Sequence, residues 1–304
     1  MDDYDQACRY LTNLDPAGFI RWLLGASPPV SFRSWLDTRT LPFPGDENRI
    51  CDRVAHLEDP GEPDNPIAFN VEFQSENDAV ILERMLEYGA RLRRALRHGA
   101  DRRGRFCVIG GLVNLTGPVQ NETLVMNLPG RPDVGLRLRV ILRTLREENA
   151  GETLAAIAAG TTTRTVLPWI PLMRGGGEPD KIQWWKRVAE AEPHPLRRAD
   201  YGHLALVFAR LTDNFDPWRK TLEDWTMKRS PVVDAWREEG RSEGRLQTLR
   251  ADLLQTLEVR FPGEIPDEIR SCIEGTNDPS DLQRWFNAAL SAASLEAFRA
   301  AIDR

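Results

Sequence analysis

The chain has 304 residues, 41% of them hydrophobic and 28% charged, with a formal charge of −6 at pH 7. That profile is expected of a soluble globular protein whose core needs no metal or disulfide staple. It excludes a uniformly basic nucleic-acid coat but leaves room for a local basic patch.

In chain order, residues 4–24 carry Tyr4, Cys8, Leu11, Phe19, Leu23 and Leu24 at helical spacing, and Asp15-Pro16 breaks them into two helices. A loop with Pro28, Pro29, Pro42, Pro44 and Gly45 follows, then a strand over 50–57 with Ile50, Val54 and Leu57. The turn-rich run 59–66 links it to a second strand over 67–74, which predicts a hairpin. A helix is expected over 79–98, with Leu82, Met85, Leu86, Leu92 and Leu96 inward. Two more strands are expected over 106–115 and 136–143. Beyond 150 the pattern is helical, with a polar connector over 237–247. Amphipathic helices end the chain, marked by Leu253, Leu254, Leu257, Phe261, Leu282, Trp285, Phe286, Leu290, Leu295 and Phe298. The predicted organisation is an α/β core over 1–150 with one central sheet, a helical extension over 151–236, and a connector with a small helical domain over 237–304.

Charge is unevenly distributed. Residues 1–78 hold 15 Asp/Glu against 6 Arg, whereas 84–105 hold 8 Arg against Glu87 and Asp101. Such a pairing reads either as a metal site beside a phosphate-binding face or as solvated helix faces. Lysine occurs only at Lys181, Lys186, Lys220 and Lys228, so the core has none. Cys8, Cys51, Cys107 and Cys272 lie far apart, which excludes a local zinc knuckle or CxxC pair. With few thiols, an acidic start and no apolar run near the ~18 residues of a membrane span, a cytoplasmic protein without a membrane partner is expected. Gly175-Gly176-Gly177 lacks the GK[ST] ending of a phosphate loop, the four histidines show no ligand spacing, and no GxSxG is present.

The chemistry concentrates in Val71-Glu72-Phe73-Gln74. On a strand, Glu72 and Gln74 share one face. An acid in an apolar strand is costly unless something pairs with it. Asp52, on the preceding strand of the hairpin, can lie beside Glu72. Two carboxylates and a backbone carbonyl suit Mg²⁺ or Mn²⁺. The competing reading places Asp52, Glu72 and Gln74 on an exposed hairpin face.

Cys51-Asp52-Arg53-Val54, then Val71-Glu72-Phe73-Gln74-Ser75-Glu76, then Glu83-Arg84-Met85-Leu86-Glu87-Tyr88 resemble the PD-(D/E)XK nuclease family transposases, or recombination-promoting nucleases. The opening residues 4–11 and 19–25 resemble that family's first helices, and 253–301 is similar to a small helical domain often attached to them. The resemblance implies a restriction-endonuclease-like core and metal-dependent hydrolysis of DNA phosphodiesters, linked to recombination or mobile DNA. It implies Asp52, Glu72 and the Phe73 carbonyl as metal ligands, Gln74 in place of the wider superfamily's lysine, and Asp5 as an acid of the first helix near the site. Gln74 can orient a water by hydrogen bonding but brings no charge.

Arg84, Arg91, Arg94 and Arg97 are candidate phosphate contacts on the third helix. A solvated face, or for Arg84 a tie to an acid, is the competing reading. A homo-oligomer is compatible with these features. The alternative function is a DNA-binding or scaffolding protein of the same fold with a decayed site.

Overall fold

The computed structural model describes residues 3–25, 30–36, 52–76, 78–98, 104–118, 121–226, 231–261, 265–276 and 278–302. The predicted proline-rich loop around Pro28, Pro29, Pro42, Pro44 and Gly45 lies outside them, as do Ile50 and Cys51. The chain forms two compact units, Met1–Ser230 and Pro231–Arg304.

The first unit opens with helices α1 (Asp3–Leu14) and α2 (Pro16–Leu24). The break between them is local chemistry. Pro16 cannot continue α1 but suits the first turn of α2, and the Asp15 carboxylate accepts the Gly18 N–H at 3.0 Å. Strands β1 (Ser31–Trp35), β2 (Arg53–Glu58) and β3 (Ile67–Gln74) follow, then helix α3 (Ile81–Ala95). Two-residue strands β4 (Arg97–His98) and β5 (Gly104–Arg105) precede β6 (Cys107–Asn114), a hairpin of β7 (Thr123–Leu128) and β8 (Arg131–Arg139), and β9 (Ile141–Thr144). The remainder is α4 (Ala150–Ala158), a 3-10 helix over Arg164–Leu172, α5 (Pro179–Glu190), α6 (Pro195–Ala209), α7 (Phe215–Thr221) and α8 (Glu223–Thr226).

The central sheet is mixed and five-stranded, in the order β1-β2-β3-β6-β9. Its first two pairings are antiparallel and its last two parallel. Helix α3 covers one face through Tyr88 and Leu92 against Val54 and Ala68, and through Met85 against Leu112 and Val140. On the other face Phe73 meets Phe19 of α2 and Trp169 of the 3-10 helix, each at 6.1 Å between ring centroids. An aromatic side chain of this size buries 150–250 Å², so this cluster is a large part of the apolar contact on that face.

Three expectations need correction. The strand predicted over 136–143 is two elements: its first residues belong to β8, which pairs with β7 outside the main sheet, and only β9 joins β6. Helix α3 stops at Ala95, and Arg97 pairs with Arg105 in a short ladder. Leu290, expected inward, is 53% exposed. Strand β1, pairing antiparallel with β2, was not anticipated.

The second unit comprises α9 (Pro231–Arg260), α10 (Asp267–Gly275), α11 (Pro279–Ser291) and α12 (Leu295–Ile302). Its own core joins Leu253, Leu257, Ile269, Ile273, Leu282, Trp285 and Phe298. The polar run 237–247 is helical within α9.

Gly110 and Gly111 set how closely the layers approach. A Cβ on Gly110 would sit 2.7 Å from the Met85 methyl, and one on Gly111 would sit 2.6 Å from the Phe69 ring. A methionine end can swing aside, but a packed ring cannot. Gly111→Val should therefore cost about 1–3 kcal/mol and more than Gly110→Ala, as read from urea unfolding. Equal costs would show that the Phe69 ring does not set the spacing.

Candidate active site

The register of β2 on β3 pairs Arg53 with Val71, so Asp52, one residue earlier, comes opposite Glu72. Two bonds clasp them. The Asp52 N–H donates to Glu72 Oε1 at 3.2 Å, and the Phe73 N–H donates to Asp52 Oδ2 at 2.9 Å. A strand residue's N–H and C=O point to the same side, so the Phe73 carbonyl lies on the side of β3 to which its N–H reaches Asp52.

Glu72 is 3% exposed and Gln74 6%, which removes the exposed-face alternative. Asn70, Glu72 and Gln74 share the α3 face of β3, where the Asn70 amide reaches Met85 Sδ at 3.7 Å. Both polar atoms of the Gln74 amide are shut off from solvent and, among the described residues, have no hydrogen-bond partner. Beside Gln74 in register stands Asn114, with Thr144 beyond it. The Asn114 amide bonds the Gly117 and Pro118 carbonyls and so closes the turn after β6.

Burial pushes the Asp52 carboxyl up to about 6, with the charge of Asp5 as the next cause, while the Phe73 N–H, Arg9 and Arg84 oppose the shift. Burial also raises Glu72 well above the usual carboxylate range, followed by the charge of Asp52. Asp5 thus lies within electrostatic reach of Asp52. Among the described residues, no three His, Cys, Asp or Glu side chains group closely enough to hold a metal ion by themselves. A cation here would therefore rest on two carboxylates, a peptide carbonyl and water.

Arg9 of α1 stands 3.7 Å from Asp52 Oδ1. It was not anticipated, although its place one helical turn after Asp5 was available as a signal. Arg84 forms an ion pair with Asp78 at 2.7 Å while its charge reaches both site carboxylates. Arg91 is paired with Glu87, Arg94 is exposed, and Arg97 lies on β4. The four candidate phosphate contacts therefore do not form one helical row.

No protein-family model, curated protein or solved structure matches the chain. Among the described residues no helix is long and apolar enough to cross a membrane.

Both site carboxylates bind protons more tightly in the folded protein than in the unfolded chain. Their contribution to stability is therefore most favourable below the unfolded value near 4; that of Asp52 is lost as pH rises through about 6, and that of Glu72 as pH rises through its own raised value. Asp52→Asn and Glu72→Gln should each melt above the wild type at pH 7.5 in EDTA, with the gap closing by about pH 4. Scanning calorimetry across that range checks this. A gap independent of pH would trace the effect to packing instead.

Proposed function

We propose that the first unit is a divalent-metal-dependent deoxyribonuclease with a restriction-endonuclease-like core, cleaving DNA phosphodiesters in recombination or in the movement of DNA elements. The observation that carries this reading is the clasped, buried pair Asp52 and Glu72 with the unpartnered amide of Gln74 on the same strand face as Glu72. The donor set fits Mg²⁺ or Mn²⁺. It is all oxygen, and it crowds two acids that Arg9 and Arg84 offset only in part, since both carboxyls remain shifted upward.

Asp52, Glu72 and the Phe73 carbonyl would hold the ion, which when bound lowers the pKa of a water and neutralises phosphate charge. The backbone bonds fix Glu72 Oε1 and Asp52 Oδ2, and the other Asp52 oxygen lies 3.7 Å from Arg9, so the two carboxylates that would hold the ion are held in place by the chain itself. Gln74 would accept a hydrogen bond from the attacking water through its carbonyl oxygen and so orient the water's lone pair, a positioning effect without charge. Arg9 and Arg84 bring positive charge to a site where no lysine stands.

Single-turnover cleavage of a supercoiled plasmid tests the proposal. Cleavage is expected with Mg²⁺ or Mn²⁺ and none with EDTA. Asp52→Ala and Glu72→Ala should abolish it, because each removes a metal ligand. Gln74→Ala should slow it roughly 10- to 100-fold, the low end for a positioned group, and Gln74→Lys should retain or raise it. If the three alanine variants all match the wild type, with folding verified, the cleavage belongs to something else and a DNA-binding scaffold is the better reading.

A further inference from the structure

The far end of α1 borders a second polar chamber in the first unit. It has a volume of about 570 Å³ and is walled by the α1–α2 junction, the end of α4, residues 162–165, Glu192, Arg197 and Tyr201. Asp15 follows Asp5 by ten residues, roughly 15 Å of helix at 1.5 Å per residue, so the chamber is distinct from the carboxylate corner. A volume of this size lies within the range of small-molecule sites, about 300–1,000 Å³.

Three of its groups have unspent bonding capacity. Tyr201 is 2% exposed, yet its hydroxyl has no hydrogen-bond partner among the described residues and borders the chamber. Among the described residues Arg164 makes no ion pair, and its Nε, shut off from solvent, has no hydrogen-bond partner. Arg197 is exposed and likewise without an ion pair among the described residues. The acids in the wall are differently placed. Asp15 is occupied by the Gly18 N–H at 3.0 Å and by the Thr163 hydroxyl at 2.7 Å. Glu192, which lines the chamber, is 6% exposed and accepts the His194 N–H at 3.2 Å through Oε1, while Oε2 accepts no hydrogen bond among the described residues.

The chamber therefore offers two guanidiniums and a phenol to an anion, and a carboxylate oxygen to an N–H donor. A bare phosphate would satisfy only the first set. A buried Glu192 facing it would even oppose a ligand without donors. We infer that this chamber binds a nucleotide, with the phosphate on Arg164, Arg197 and the Tyr201 hydroxyl and the N–H edge of the base on Glu192. The same chemistry is carried by a free mononucleotide and by the end of a DNA strand. The inference does not depend on the nuclease reading.

The test uses the full chain carrying Glu72→Gln, in EDTA, so that turnover plays no part. Isothermal titration calorimetry is run with dGMP, inorganic phosphate, and a single-stranded octanucleotide with a 5′-phosphorylated terminal dG. dGMP should bind, and phosphate much more weakly. Arg164→Gln and Arg197→Gln should each weaken dGMP by about 10- to 100-fold, the worth of a hydrogen bond to a charged group, without changing the melting temperature of the free protein. Glu192→Gln should weaken dGMP but not phosphate. If the octanucleotide competes with dGMP, the occupant is a strand end; if it does not, the occupant is a free nucleotide. No dGMP binding, equal dGMP binding by the parent and both arginine variants, or phosphate bound as tightly as dGMP would overturn the inference.

Discussion

Burying two carboxylates side by side is the interaction around which the first unit is organised. An isolated buried charge is strongly unfavourable, and two of the same sign are worse. Here the cost is reduced by groups from four different elements. The start of β2 and the end of β3 exchange backbone N–H groups with the two acids, α1 contributes Arg9, and α3 contributes Arg84. A shift of any of these elements would remove compensation from a carboxylate, so the corner ties the hairpin to α1 and α3.

The sheet supports this geometry in two ways. Gly110 and Gly111 sit on the central strand β6 and face opposite layers, so α3 and the Phe69 ring both pack closely against it. The parallel strands β3, β6 and β9 also finish together with polar residues, Gln74, Asn114 and Thr144, aligned in register. In open sheets of parallel strands, ligand sites form beyond the carboxyl ends, where backbone and side-chain polar groups are left without ladder partners. Asn114 satisfies itself within its own turn. Gln74 does not, which sets it apart from an ordinary buried amide.

Arginine plays several roles in this lysine-poor core. Arg91 forms an i,i+4 pair on the surface of α3, an interaction of little energetic weight. Arg143 lies over the Trp22 ring at 4.6 Å and pairs with Glu148 at 3.0 Å, a structural tie between α2 and the end of the sheet. Arg9 and Arg84 instead face the acids, and Arg164 faces a chamber with its Nε unsatisfied. Density of arginine along the chain therefore does not reveal which ones are already committed to a neighbour; the partner each side chain has in the folded chain does.

What the sequence alone determined is what short-range rules govern. The Asp15-Pro16 break, the hairpin of β2 and β3, the position of Asp52 opposite Glu72, and the amphipathic helices of the second unit all follow from spacing, turn chemistry and alternation. The tertiary structure decided what depends on distant partners. Whether residues 136–143 form one strand or two turns on which neighbour each half pairs with, and the end of α3 is set by Arg97 finding β5. The burial of Gln74 and the approach of Arg9 to Asp52 require packed layers. The nucleotide-sized chamber joins Asp15 to Thr163 and Tyr201, residues brought together only by folding. Local patterns specify which face of an element is apolar, but not which of several apolar faces it will meet, and that choice places the polar groups that remain.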